Sequence, residues 1–203
     1  MKIIEKHCLG ILTVYALAIL VVAVALWDSF VLLQKAAVVV AALLTLHEWE
    51  EIRFPGGFIE KIGGVIGIDL DSVDHDALHA RSVGMCFVVM SCAVWMPAAP
   101  PFACALLMLG VGEGIVHVVG IRLTRSDRPY TPGMVTAELM AIASVVGIVL
   151  CAQGGAVAPL DWAFGTVWLL VCLGVMEMSI WHLAGISPKE IPQKLREVRA
   201  QRR

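Results

Sequence analysis

The chain lacks the cysteine spacing that would announce a zinc knuckle or a disulfide framework. Its six cysteines (Cys8, Cys86, Cys92, Cys104, Cys151 and Cys172) include no CxxC pair and lie in or beside apolar runs, so they read as small buried hydrophobes. No basic patch interleaved with aromatics is present either, and no nucleic acid is expected as a partner. Neither an internal repeat nor a low-complexity stretch interrupts the sequence. Charge is scarce: Asp, Glu, Lys and Arg make up 16% of the residues, against 59% hydrophobic content and a mean hydropathy of +0.85. That is more apolar side chain than a soluble core needs, and it points to an integral membrane protein.

What is there is a series of apolar runs. Cys8–Trp27 has no formal charge and at about 1.5 Å per residue is long enough to cross roughly 30 Å of hydrocarbon. Lys2, Lys6 and the Ala23-Val24-Ala25 box suit a cleaved signal peptide, but the apolar stretch is long for one and more follow, so it reads as a retained span. Further spans are expected at 31–53, 77–97, 101–123, 132–152 and 160–185. Pro97, Pro100, Pro101, Pro129, Pro132, Gly133, Gly154, Gly155 and the Ser187-Pro188 pair punctuate their ends. The expected fold is an all-α, six-helix membrane bundle over residues 1–186, with neighbouring helices antiparallel, followed by a basic tail at 187–203. With the N-terminus in the cytoplasm, every Lys and Arg except Lys35 falls on the cytoplasmic side, so both termini are expected there. The tail, with Leu195 and Val198 on a polar helix-like run, suits either contact with anionic lipid headgroups or plain solvation.

The polar residues within the spans are not scattered. Residues 47 to 51 read HEWEE after an almost wholly apolar run, and in a helix His47, Glu50 and Glu51 share one face. Glu48 is expected outward or salt-bridged. Glu113 and His117 are again i and i+4. Depth from the cytoplasmic end, at about 1.5 Å per residue, puts His47 about 9 Å inward of Arg53, and Glu113 and His117 about 13 Å and 8 Å inward of Arg122. On the same measure Glu138 lies roughly 12 Å from Tyr130, and Glu177 and His182 about 15 Å and 8 Å from Ser187. Four helices thus set carboxylates and imidazoles in one layer, while the outer half holds little beyond Asp28, Lys35 and Asp161. Such groups cost stability in a membrane unless they hold a proton, a metal or a substrate. The expected metal ligands are His47, Glu50, Glu113, His117, Glu138, Glu177 and His182, around one ion or two, with zinc or iron as the divalent metal. Glu177 and His182, five apart and so about 140° around the helix, fit less well. Bland readings exist for each: Glu50 and Glu51 pairing with Arg53 or Lys61, Glu138 pairing with Arg122, Arg125 or Arg128, and His117 and His182 as hydrogen-bonded core residues. Phe58–Ile68 suits an interfacial or flexible segment or a lid. Asp71, His75 and His79 follow at i, i+4 and i+8, as a solvated face or a second metal site.

HEWEE, then His117, then Tyr130-Thr131-Pro132-Gly133 with Thr136, resembles the HXXEE family of predicted membrane proteins from the second span through the fifth. The resemblance implies an enzyme whose work falls to His47, Glu50, Glu51 and His117, and it implies no substrate. The glutamate intramembrane proteases of the CAAX type use EExxxR, whereas Glu50-Glu51-Ile52-Arg53 is EExR, so that activity does not carry over. The expected function is water activation by Glu50 or Glu51 with His47 and His117 against a hydrophobic or lipid-like substrate, hydrolysis ahead of di-iron-type oxidation. A metal-free isomerase, with Trp49 and Trp181 against a cation, would use the same groups. The rivals are an ion- or proton-coupled carrier, against which no broken-helix pair is found, and a subunit holding haem between His47 and His117.

Overall fold

The computed structural model describes residues 2–66, 70, 73–124, 129–155, 157–187 and 189–201, with the side chains at 66, 194, 195, 198, 199 and 201 left aside. Asp71, Arg125 and Arg128 therefore lie outside the described residues, as do the side chains of Leu195 and Val198. All regular structure among the described residues is helical. The helices are α1 (Lys2–Ala25), α2 (Leu32–Ile52), α3 (Phe58–Ile66), α4 (His75–Trp95), α5 (Pro100–Thr124), α6 (Met134–Gln153), α7 (Pro159–Leu183) and α8 (Ile191–Gln201), with a 3₁₀ turn at Trp27–Ser29. Six of them, α1, α2, α4, α5, α6 and α7, are long and apolar enough to cross a membrane, as expected.

Local chemistry sets several ends. The Asp74 carboxylate caps α4 by accepting from the amides of Asp76 and Ala77 at 3.1 and 3.3 Å. Asp161 returns to the amide of Ala158 at 2.9 Å, beside Pro159 in the first turn of α7. The N-cap of α6 is Gly133, a residue without a capping side chain.

Helix α5 is central: it packs on α2, α4, α6 and α7. Close approach to α6 is possible because a Cβ on Gly114 would stand 2.7 Å from that of Ala141. The core is Leu, Val, Ala and Met from α1, α2, α4 and α5, among them Leu12, Leu44, Val89, Met90, Leu106 and Leu107, all at most 1% exposed. Helix α7 is the least covered, with Leu160, Phe164, Leu170 and Val175 more than half exposed, as befits a lipid-facing surface. Away from the site, polar contacts between spans are few and specific: Tyr15 with Ser91 at 2.7 Å, Trp95 to Tyr15 at 2.8 Å, and Gln34 to the carbonyl of Val94 at 3.0 Å.

Candidate functional site

The last two turns of α2 present His47, Glu50 and Glu51 toward α5 and the start of α6, because a spacing of three and four residues stacks them on one face. From α5, Glu113 and His117 face them on the same logic. One ligand atom from each of His47, Glu51, Glu113 and His117 lies within 4.8 Å of all the others. Glu51 Oε1 stands between the imidazoles, 3.4 Å from His47 Nε2 and 3.1 Å from His117 Nε2. Glu113 Oε2 is farther, at 3.8 and 4.0 Å. Side-chain exposure rises from 0% for His117 and 2% for His47 to 10% for Glu51 and 22% for Glu113, so Glu113 is the most accessible of the four.

Each histidine is held by its other nitrogen. His47 Nδ1 lies 3.0 Å from the carbonyl of Gly133, which can only accept, so Nδ1 carries the proton and donates. His117 Nδ1 lies 2.9 Å from Thr131 Oγ1, whose own proton goes to the carbonyl of His117 at 3.4 Å. That hydroxyl therefore accepts from Nδ1 as well. Both Nε2 atoms are thereby turned toward two carboxylates, an arrangement that a proton or a metal ion on Nε2 makes attractive. His117 Nε2 and Glu51 Oε1, although close, are not aligned as a hydrogen bond. Both are buried without a hydrogen-bond partner among the described residues.

Glu50 does something different from its neighbour. Its carboxylate accepts from the amides of Val135 and Thr136 at 3.2 and 2.8 Å, from Thr136 Oγ1 at 2.6 Å and from the Tyr130 hydroxyl at 2.7 Å. It caps α6 from another helix, in place of the side chain that Gly133 does not have, and its charge suits the helix N-terminus. Burial, followed by the bond to Glu50, raises the pKa of the Tyr130 hydroxyl above its ordinary value, which keeps it a donor. Gly133 has φ +91, and a Cβ there would stand 2.6 to 2.8 Å from Glu51 Cγ, His117 Cε1 and His47 Cε1. Only glycine fits both the left-handed backbone and the packed site.

Above the four groups is a cavity of about 460 Å³, within the range of small-molecule sites and walled mainly by apolar side chains. His47, Glu51 and Glu113 open onto it. Phe58, Ile59 and Ile62 of α3 form one wall, and Met176 and Trp181 of α7 another. Phe58 also lies over His117, ring centroids 4.4 Å apart.

Several expectations need correction. Glu50 is in the cap and outside the four-group cluster. Glu138 is outside it too: its Oε1 lies on the α5 backbone side, 3.9 Å from where a Cβ on Gly114 would stand. Glu177 borders the cavity from α7 but is exposed, and His182, carried round the helix by five residues, is exposed and does not line it. Glu48 is not outward, and it has no ion pair among the described residues. It is 3% exposed and accepts from Ser82 at 3.1 and 3.2 Å and from Cys86 at 3.1 Å, because α4 packs on that flank of α2 and supplies neutral donors. Trp49 turns away from the site and donates to Thr13 of α1 at 2.8 Å. The imidazoles of His47 and His117, with centroids 5.0 Å apart and edge to face, leave no slot for a flat macrocycle. Sequence reasoning did not give roles to Thr131, Gly133 and Thr136; their only signal was membership of the TPG-T motif.

Residues 38–147, just over half of the chain, match the family model described as a protein of unknown function with HXXEE motif. The chain belongs to that family. No curated protein and no solved structure matches it.

Proposed function

We propose that this HXXEE-family chain is a membrane metallohydrolase in which His47, His117 and Glu51 hold one divalent ion, zinc or iron, and Glu113 is the base. The carrying observation is the pair of imidazoles whose Nδ1 atoms are bound to protein acceptors and whose Nε2 atoms converge on Glu51 at the floor of an apolar cavity. Two histidines and a carboxylate with room for further ligands are a donor set suited to either metal. A bound ion would polarise the scissile carbonyl or phosphoryl oxygen and acidify the attacking water. The cavity takes up the hydrophobic part of a lipid-like substrate and excludes bulk water around it. Glu113, the most accessible carboxylate and the farthest from both imidazoles, takes a proton as the water oxygen bonds to the electrophilic centre. It then returns that proton to the departing oxygen. Glu50 is a positioning residue, acting through Thr136 and the start of α6. The Lys and Arg bias supports a site at the cytoplasmic leaflet, supplied with water from that side.

Elemental analysis of the purified protein in detergent is the first test. One tightly held divalent ion at this cluster is the expected result, so that metal content falls by one equivalent in His117→Ala and Glu51→Gln variants that still accumulate and run as monodisperse species. Loaded protein should also release product from amphiphilic esters or phosphoesters, and Glu113→Gln should retain metal while losing turnover. Metal content unchanged in both ligand variants overturns the assignment, and bound iron with oxygen consumption in place of hydrolysis favours oxidation. Single cysteines at Lys61 and Gln153 in a cysteine-free background test the side. Only the second should react with an impermeant reagent added outside.

A further inference from the structure

A second group of histidines and a carboxylate lies on the outer side of the cavity wall. Asp74 caps α4, which fixes His75 and His79 one turn apart on one face of its first turns. Glu60, on the short helix α3, meets them: its Oε1 is 3.0 Å from His75 Nδ1, and ligand atoms of Glu60, His75 and His79 all lie within 4.8 Å of one another. The two imidazoles are edge to face, 6.2 Å between centroids.

A hydrogen bond between Glu60 and His75 explains only part of this. It leaves Glu60 Oε2, a buried atom, without a hydrogen-bond partner among the described residues, and it gives His79 no reason to face the same point. With metal–ligand bonds near 2.0–2.1 Å, ligand atoms of a tetrahedral ion sit about 3.3 Å apart, so the three groups need only modest side-chain adjustment to close on one.

We propose that Glu60, His75 and His79 form a second divalent metal site, of the two-histidine, one-carboxylate kind that zinc occupies with water completing the shell. Its place in the fold gives it a job. Glu60 is on the helix whose Phe58, Ile59 and Ile62 wall the cavity and whose Phe58 covers His117. Helix α3 is only nine residues long, below the length at which a helix in water holds itself together. An ion shared with α4 fastens this wall to a long membrane helix. The proposal does not depend on an ion at His47 and His117.

The test is a zinc titration of chelator-stripped full-length protein in detergent against a chromophoric competitor. It compares wild type, His79→Gln, the core double variant Glu51→Gln/His117→Ala, and the three changes combined. His79→Gln should lose one zinc equivalent, as should Glu60→Gln as an independent check. The core double variant should keep one equivalent, and the combined variant should lose it. Removing a ligand should weaken the site by more than about 100-fold, since losing even an outer-shell partner costs 10–100-fold. If the core holds no metal, wild type shows one equivalent and His79→Gln none, so the two sites fail separately. In the core double variant, zinc should also slow amide exchange over residues 58–66 by about tenfold or more, against a global opening in which every exchange rate falls together. Unchanged stoichiometry in both His79→Gln and Glu60→Gln, or zinc binding that leaves exchange in α3 unaltered, overturns the proposal.

Discussion

The two histidine–carboxylate clusters use the same side chains and differ in what stands behind them. In the inner one each Nδ1 is bound to an acceptor that belongs to the scaffold, the Gly133 carbonyl or Thr131, so both rings are oriented before anything binds. In the outer one His75 Nδ1 faces Glu60 itself, and the two side chains are 41% and 33% exposed. The inner cluster is therefore preorganised, while the outer one rests in a hydrogen bond that a metal must replace. Orientation of the second nitrogen, more than the presence of histidine, separates a built site from one that closes on demand.

The sharpest way to break this comparison is Gly133→Ala. It forces a Cβ among Glu51, His47 and His117 and disturbs the carbonyl that orients His47. Metal affinity of the inner cluster should fall by more than about 100-fold, with the outer cluster's stoichiometry untouched, as read by zinc titration. Retained inner affinity would mean that scaffold orientation is not what distinguishes the clusters. Next in size is the contrast between adjacent glutamates. Glu50→Ala removes four hydrogen bonds and the cap of α6 and should cost about 2–4 kcal/mol. Glu51→Gln, whose Oε1 has no hydrogen-bond partner among the described residues, should cost the metal-free protein less, as read by the Tm in detergent. Equal losses from both would erase the division between cap and site. Trp49→Phe should cost about 1 kcal/mol through the bond to Thr13 and leave zinc binding alone, placing it outside both clusters. Smallest is His75→Ala in metal-free protein, below about 1 kcal/mol by thermal denaturation because its partner contact is solvent-screened.

The six spans were legible because span length and hydropathy are set by the bilayer and barely depend on tertiary detail. His47, Glu51, Glu113 and His117 were legible for a related reason: i, i+4 spacing fixes a shared face, and counting residues fixes depth. Depth does not fix rotation. Glu138, Glu177 and His182 sit on their helices near the right height, but rotation turns Glu138 toward the backbone at Gly114 and His182 into exposure. Glu48 was misread because the face of α2 opposite the motif was assumed to be free, whereas α4 covers it with Ser82 and Cys86. Glu60 escaped notice since its partner His75 is reached across a turn of the chain, with no periodicity linking α3 to α4. The capping role of Glu50 was hidden for the same reason, the amides that donate to it being 85 and 86 residues away.

That last separation bears on how the protein is made. When α2 emerges during synthesis, the sequence holding Glu50 is complete, but the amides it will cap belong to a helix not yet translated. Until α6 arrives, Glu50 waits at the membrane edge with only water and headgroups for company, and α6 in turn enters the bilayer with an open N-terminal turn. Docking of α6 on α2 satisfies both at once and carries Gly133 and Thr131 to the two histidines in the same movement. Assembly of the cluster thus waits for the fifth span, and a chain stopped before it has the motif without the two acceptors that orient its histidines.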